Sequence, residues 1–239
     1  MIRPLRTSLS LLAVLAPLAS AVMATSTASS AADDVPPGAF PDATLADWKE
    51  RRFSGSTDYA LVEEDGIRAL RGRTAGTASI LYREREIDLE RTPILEWSWK
   101  VDRIYPMIDE RTQGGDDYPA RLYVVARMGL LPWDTLALNY VWSSNETPDD
   151  SWPNPFTEKA QMIPVRAGAG EVGRWTHQRR DVAADFRAAF GRRVDEIAGY
   201  AVMVDGDNGD REATAWFGDI DFLPRVEGAA PSDAAADRR

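Results

Sequence analysis

Short runs of alternating apolar and polar residues recur along the chain from Phe40 to Pro224, separated by Gly, Pro, Asp and Asn. Alternation with a period of two is typical of β-strands that bury one face, and the separating residues are typical of turns. A tight hairpin is expected at Glu64-Asp65-Gly66. The alternation predicts strands at 59–62, 67–70, 77–87, 94–101, 120–128, 135–142, 160–165 and 175–180.

One helix is expected after the last of these strands. Asp181 suits the N-cap position, apolar residues such as Val182 and Phe186 follow at helical spacing, and Gly191 suits the C-terminal stop. About ten strands and a single convincing helix predict an all-β domain. A two-sheet antiparallel β-sandwich of the jelly-roll type would bury this much alternating surface.

The segment from Ala198 to Phe222 contains two apolar runs around an acidic tip. Asn208-Gly209 favours a two-residue hairpin turn, which would project four carboxylates from one strand face. Like charges that face each other repel, and a bound calcium ion, a nearby arginine or exposure to water would offset the repulsion. The tip is therefore either a solvated turn or a calcium site, whose candidate ligands are Asp205, Asp207, Asp210 and Glu212.

The N-terminus has the pattern of a secretory signal peptide. Two arginines precede an apolar run that ends at Ala19-Ser20-Ala21, which predicts a signal peptide over residues 1–21 with cleavage as late as residue 31. The run is too short to span a bilayer, so no integral membrane segment is expected in the mature chain. We expect a protein exported to the periplasm or secreted.

Composition limits the partners and the chemistry. The formal net charge is −10, and an acidic surface disfavours nucleic acid and anionic membranes as partners. The chain has no cysteine, which excludes disulfides and thiolate metal sites. Length favours one domain, predicted over residues 33–225, and small polar residues predict a disordered tail over 226–239.

No catalytic motif stands out. The chain has one histidine, His177, so a Ser-His-Asp triad could form only around it, and no G-x-S-x-G elbow is present. A zinc site would lack ligands, and the phosphate-loop and dinucleotide motifs are absent. A structural role is expected for His177, and enzymatic activity is left open with a non-catalytic role favoured.

The tryptophans fall into two groups. Trp97 and Trp99 share a strand face with Leu and Val, which predicts a place in the core. Trp133, Trp142 and Trp152 lie in or beside Pro- and Asn-rich loops, so they either form an exposed aromatic surface or plug the end of the sandwich.

Arg121 lies in the middle of a predicted strand, after a loop that contains Asp116 and Asp117. An arginine in such a position is expected to be held by a carboxylate from that loop or from the acidic tip. Ligand binding is the alternative role.

Five motifs resemble, in order, those of a bacterial family catalogued as domain of unknown function 3047. The resemblance covers roughly residues 48–222, and it implies exported bacterial proteins with no assigned activity. It also implies a β-sandwich similar to galactose-binding and carbohydrate-binding modules. Asp205, Asp207 and Asn208 match the family pattern directly. The motifs are GDDYPARLYVV (115–125), NYVW (139–142), PNPF (153–156), RRDVAADFRAAFG (179–191) and VMVDGDNGD to FGDIDF (202–222).

Three functional hypotheses follow. The first is a non-catalytic module that binds a saccharide or a cell-envelope glycan. The second is a structural domain that docks on an envelope protein. The third is a glycan hydrolase or lyase that uses two carboxylates among Asp117, Asp205, Asp207 and Glu212. The candidate ligand-binding residues are Asp117, Arg121, Asn139, Trp142, Asn154, Asp205, Asp207 and Asn208.

Overall fold

A computed structural model describes residues 36–129, 134–145 and 150–226. The predicted signal peptide, Trp133 and the tail from residue 227 onward lie outside the described residues. No helix in the described part of the chain has the length and apolar character needed to cross a membrane.

Twelve strands and one α-helix make up the regular structure of the described residues, together with one 3-10 turn at Gln113–Gly115. The elements are β1 (Lys49–Ser54), β2 (Asp58–Glu64), β3 (Ile67–Ala75), β4 (Ala78–Asp88), β5 (Ile94–Val101), β6 (Arg121–Arg127), β7 (Thr135–Ser143), β8 (Trp152–Asn154), β9 (Thr157–Ala167), β10 (Thr176–Asp181), α1 (Val182–Phe190), β11 (Glu196–Met203) and β12 (Glu212–Leu223).

The strands form two sheets. The seven-stranded sheet has the order β1-β4-β11-β6-β7-β9-β8, and the five-stranded sheet has the order β10-β5-β12-β3-β2. Neighbouring strands are antiparallel except β7 and β9, which pair in parallel. The predicted β-sandwich is confirmed, with this parallel pair as a departure from a purely antiparallel arrangement.

The core lies between the sheets and is rich in aromatic rings. Trp97 and Trp99 are fully buried there, as the alternation predicted. Their ring centroids lie 5.4 Å apart in an edge-on arrangement, and Trp142 lies 6.1 Å from Trp99. Such tilted contacts suit the charge distribution of aromatic rings.

Two local predictions are confirmed. Asp65 and Gly66 both have positive φ, 52° and 78°, in the two-residue turn that joins β2 to β3, where only residues tolerant of that conformation fit. At α1 the Asp181 carboxylate accepts a hydrogen bond from the Ala184 N–H at 3.0 Å, and Gly191 ends the helix with φ of 64°.

The predicted hairpin at the acidic tip is wrong. β11 belongs to the seven-stranded sheet and β12 to the five-stranded sheet, so residues 204–211 cross from one sheet to the other. The positive φ falls on Asp210, and the Arg211 N–H donates to the Gly206 carbonyl at 2.8 Å. Both apolar runs bury residues in the core, Val202 from one layer and Phe217 from the other, and this burial overrides the local turn signal.

Candidate functional site

The candidate site lies on the outer face of the seven-stranded sheet. Along β6, Leu122 and Val124 face the core, so Arg121 and Tyr123 face outward. Asn139 of β7 pairs with Tyr123, and Met203 of β11 pairs with Arg121. Paired residues share a face, which brings these side chains together although they come from three strands.

A pocket of about 550 Å³ opens on this face. Two phenylalanine rings flank it: Phe53 of β1 is 57% exposed, and Phe156, in the turn between β8 and β9, is 59% exposed. Exposed rings beside a few convergent polar groups are typical of small-molecule sites. The polar lining consists of Asp116, Arg121, Asn139, Asn154, Thr157, Asp205, Asp207 and Asn208.

Arg121 is the cation at the bottom of this pocket and is only 2% exposed. Its Nε donates to Asp205 Oδ1 at 2.8 Å, and a terminal nitrogen donates to the other oxygen of the same carboxylate. Another terminal nitrogen lies 3.4 Å from both Asp116 carboxylate oxygens. The guanidinium stacks on Tyr118, 4.3 Å from the ring centroid. The prediction that carboxylates hold Arg121 is confirmed.

Asp117 anchors the segment that crosses between the sheets. Its Oδ1 accepts hydrogen bonds from the Asn208 backbone N–H at 3.0 Å and from Asn208 Nδ2 at 3.1 Å. Its Oδ2 accepts from the Arg211 guanidinium. Because Asp117 is fully buried, these charge-assisted bonds replace its lost hydration.

Three carboxylates converge here. Asp117, Asp205 and Asp207 each offer an oxygen atom within 4.8 Å of the others. Burial raises the pKa of Asp205 to about 7, with Arg121 opposing and the charges of Asp116 and Asp117 adding to the rise. Burial also raises the pKa of Asp207, and the Asp117 charge adds to it.

Asp207 and Asn139 differ from their neighbours because each keeps an acceptor available in the pocket. Asp207 forms no ion pair with any residue that the structure describes. Asn139 is only 1% exposed, and its Oδ1 has no hydrogen-bond partner among the described residues. A buried acceptor without a donor is unusual in a folded protein.

The predicted calcium ligands do not come together as a set of four. Asp205 and Asp207 lie side by side, whereas Asp210 and Glu212 are exposed and stand outside the cluster, with Asp117 in their place. The cause is the crossing between sheets, which removes the strand face expected of a hairpin. Carboxylate oxygens suit calcium, but arginines hold two of the three groups. Calcium binding stays a prediction.

The other predicted residues fall into three groups: Asp117 in the carboxylate cluster, tryptophans that are buried, and residues that line the pocket. Asp117 does not line the pocket, but its carboxylate lies in the same cluster as Asp205 and Asp207, which do. Of the two alternatives for Trp142, a place in an exposed aromatic surface is wrong, and so is its predicted role as a ligand-binding residue: it is 0% exposed in the core, where its Nε1 donates to the Gly168 carbonyl. Trp152 is buried in a small cluster with Tyr118. The predicted residues that line the pocket are Arg121, Asn139, Asn154, Asp205, Asp207 and Asn208.

Sequence reasoning missed the apolar part of the site. Phe156 lies within the PNPF motif, and Tyr123 shares a strand face with Arg121, so a signal existed for both. Phe53 lies in β1, whose sequence KERRFS shows no regular alternation. Nothing in that sequence indicates that β1 joins the seven-stranded sheet beside β4.

The chain is similar in structure to β-sandwich carbohydrate-binding modules. A module specific for non-crystalline cellulose, CBM28, is 14% identical, with a TM-score of 0.39 over 80% of this chain and 95% of that one. TmCBM61, solved with β-1,4-galactotriose, is 11% identical, with a TM-score of 0.36 over 76% and 90%. The enzymatically active domain of tailspike protein 4 from bacteriophage CBA120 is 9% identical, with a TM-score of 0.38 over 81% of this chain. This chain spans only 22% of that domain.

Sequence comparison identifies the family of this chain. No curated protein matches the sequence. A family model described as "Protein of unknown function (DUF3047)" matches residues 46–221, which include the strands, the helix and the crossing segment that build the site. The chain belongs to this family, DUF3047.

Proposed function

We propose that this protein is an exported, non-catalytic module that binds a saccharide in the outer-face pocket. One observation carries the proposal: the pocket combines two exposed rings, Phe53 and Phe156, with a buried acceptor, Asn139 Oδ1, that lacks a partner among the described residues. Export rests on the signal-peptide pattern of residues 1–21, and it would place the pocket among extracytoplasmic glycans.

The pocket chemistry suits a sugar ring. A pyranose has apolar C–H faces, which pack on aromatic rings, and hydroxyl groups around its edge, which donate and accept hydrogen bonds. Phe53 and Phe156 offer the rings, while Asn139 and Asp207 offer acceptors. Leaving a buried acceptor unpaired costs about 1–3 kcal/mol, and a ligand hydroxyl would recover part of that cost.

The outer face has room for more than one sugar unit. A second pocket of about 310 Å³ adjoins the first and shares Tyr123 with it. Its lining includes Ile80, Tyr82 and Ala201, which lie on the outward side of β4 and β11. Both volumes fall in the range of small-molecule sites, about 300–1,000 Å³. A short oligosaccharide is therefore a better fit than a monosaccharide alone.

The carboxylate geometry favours binding over hydrolysis. A glycosidase needs two carboxylates that reach the scissile bond. Asp205 is held through both oxygens by Arg121, and Asp117 is fully buried and held by Arg211 and Asn208. Of the clustered carboxylates, Asp207 alone has no ion pair with a described residue. One accessible carboxylate does not supply both an acid and a base.

Isothermal titration calorimetry with a panel of neutral and charged oligosaccharides tests the proposal. Phe53→Ala and Phe156→Ala are each expected to weaken binding about tenfold, since a ring contact contributes about 1.4 kcal/mol on the aromatic scale. Met107→Ala is the matched control, because Met107 is 98% exposed and does not line the pocket. Absence of binding across the panel, or equal effects of all three substitutions, would overturn the proposal.

A further inference from the structure

Three of the polar side chains that line the pocket, Arg121, Asn154 and Asn208, already use their hydrogen-bond donors within the protein. Arg121 directs its nitrogens at Asp205 and Asp116. Asn154 Nδ2 donates to the Asp116 carboxylate at 3.2 Å. Asn208 Nδ2 donates to Asp117 Oδ1 at 3.1 Å and to the Asp116 carbonyl at 3.3 Å. A ligand acceptor that bound to one of these three side chains would have to break an existing bond.

By contrast, one acceptor of the pocket has no donor, and another has no ion-pair partner, among the described residues. Asn139 Oδ1 is buried and lacks a donor among the described residues. The Asp207 carboxylate is half-buried and forms no ion pair within the described part of the chain. Both groups line the same pocket, where the donors of Arg121, Asn154 and Asn208 are already bound to other carboxylate and carbonyl oxygens.

The charges at the pocket also disfavour an anionic ligand. Four carboxylates gather at this end of the pocket, those of Asp116, Asp117, Asp205 and Asp207, and two guanidinium groups face them. The first three share Arg121 and Arg211. Asp207 is left as an uncompensated charge. Anionic sugars, such as uronates or phosphorylated sugars, would meet repulsion from this charge.

We propose that the pocket takes a saccharide bearing a primary ammonium group, which lies against Asp207 and Asn139 Oδ1 while the sugar ring packs on Phe53 or Phe156. This rests on the proposed function and names the ligand class. An ammonium carries three donors, no acceptor and one positive charge, which matches a pocket with one unpaired carboxylate and one buried amide oxygen that has no donor among the described residues. A neutral hydroxyl satisfies the acceptors but leaves the Asp207 charge uncompensated.

A bare divalent cation fits the same site less well. Asp205 and Asp117 would have to exchange arginine bonds for metal bonds, which would leave Arg121 buried without its partner. An ammonium needs no such exchange because Asp207 is available and Asn139 supplies a neutral oxygen.

Calorimetry near neutral pH tests the proposal with three probes: β-1,4-linked glucosamine oligomers, their N-acetylated forms and galacturonate oligomers. The free-amine oligomers are expected to bind at least tenfold more tightly than the N-acetylated ones, and the galacturonates are expected not to bind. Asp207→Asn should weaken binding of the free-amine oligomers about tenfold, the loss of one charge-assisted bond, and change binding of the N-acetylated oligomers less than twofold. Glu212→Gln is the matched control, since it removes one negative charge from an exposed residue outside the pocket.

The outcomes separate this proposal from the proposed function. Equal affinity for free-amine and N-acetylated oligomers would overturn the ammonium assignment and leave saccharide binding intact. Binding of galacturonate alone would overturn the ammonium assignment as well. Failure of every saccharide, with thermal stabilisation by calcium that Asp207→Asn abolishes, would overturn both proposals and assign the cluster to a metal ion.

Discussion

Arg121 Nε lies 2.8 Å from Asp205 Oδ1, although 84 residues separate the two in the chain. The pair ties β6 to the segment that crosses between the sheets. Both side chains are almost completely buried, so each charge depends on the other for the stabilisation that water would otherwise give.

Above the pKa of Asp205, Arg121→Met is expected to destabilise the fold by about 3–5 kcal/mol, because the substitution leaves Asp205 as a buried charge without its partner. Urea denaturation monitored by tryptophan fluorescence measures the change. Lys49→Met is the control, since it breaks the exposed Lys49–Glu84 pair on the same sheet and should have little effect.

The double substitution Arg121→Met with Asp205→Leu completes a cycle. It should cost much less than the sum of the two single substitutions, because removing both charges leaves none unpaired. If the Arg121→Met variant were as stable as the Lys49→Met variant, the pair would not have the structural role assigned to it.

The pKa of Asp205 predicts a pH dependence. Burial raises this pKa to about 7 in the folded state, above the ordinary value of 3.8. Between about pH 4 and pH 7 the folded state therefore holds a proton that the unfolded state has lost. The contribution of Asp205 to stability should fall as pH rises through this window.

Carbon-13 NMR of the Asp205 carboxyl group checks the pKa directly, and urea denaturation at several pH values checks the linked stability. The exposed Glu212 is the internal comparison for the NMR titration, because it lies outside the cluster. A midpoint for Asp205 below pH 4 would contradict the expectation and would mean that Arg121 outweighs burial.

His177 is expected to contribute with the opposite sign. It lies buried on β10, with Nε2 3.7 Å from a Glu96 carboxylate oxygen, and burial lowers its pKa below the ordinary 6.5. The unfolded state thus binds a proton more readily, so this contribution is complete above about pH 6.5 and is lost as pH falls through that value.

Comparison of the wild type with His177→Gln over pH 5 to 8 measures this contribution. The stability difference between the two proteins should shift in favour of the variant as pH falls below about 6.5, since glutamine does not titrate. A difference that stays constant across the range would show that the His177 pKa is the same in both states.

The sequence predicted those parts of the fold that depend on local chemistry. The Asp65-Gly66 turn needs residues that tolerate positive φ, and α1 needs a cap at Asp181 and a glycine at 191, so each left a signal in its own few residues. The core positions of Trp97 and Trp99 followed from alternation along one strand. Such features need no knowledge of distant segments.

The hairpin predicted at the acidic tip was wrong because the local turn signal conflicted with the burial of both flanking strands in the core. Asn208-Gly209 suits a hairpin turn, yet the apolar residues of β11 and β12 face each other across the core. The exposed alternative for Trp142 was wrong because the ring shares a strand face with Leu138 and Tyr140, and that face packs in the core. The pocket rim at Phe53 depends on the pairing of β1 with β4, which no local pattern encodes.

A substitution of Asn139 is expected to have opposite effects on the stability of the protein and on its affinity for a saccharide. Its Oδ1 is buried without a donor among the described residues, and such a group costs about 1–3 kcal/mol. Asn139→Leu, which replaces the amide with an apolar group of similar size, is therefore expected to stabilise the unliganded protein by about 1 kcal/mol. The same change should weaken saccharide binding about tenfold, because it removes an acceptor.

Asn154→Leu is the matched control for this prediction. Asn154 lines the same pocket, but its Nδ2 donates to the Asp116 carboxylate, so the substitution should destabilise the protein by removing a made bond. Thermal unfolding and calorimetric titration on both variants give the two readouts. A gain of stability at Asn139 together with a loss at Asn154 would mean that the Asn139 acceptor is kept for a ligand. A loss of stability in both variants would mean that Asn139 stabilises the sheet. It would then give no support for saccharide binding in the pocket.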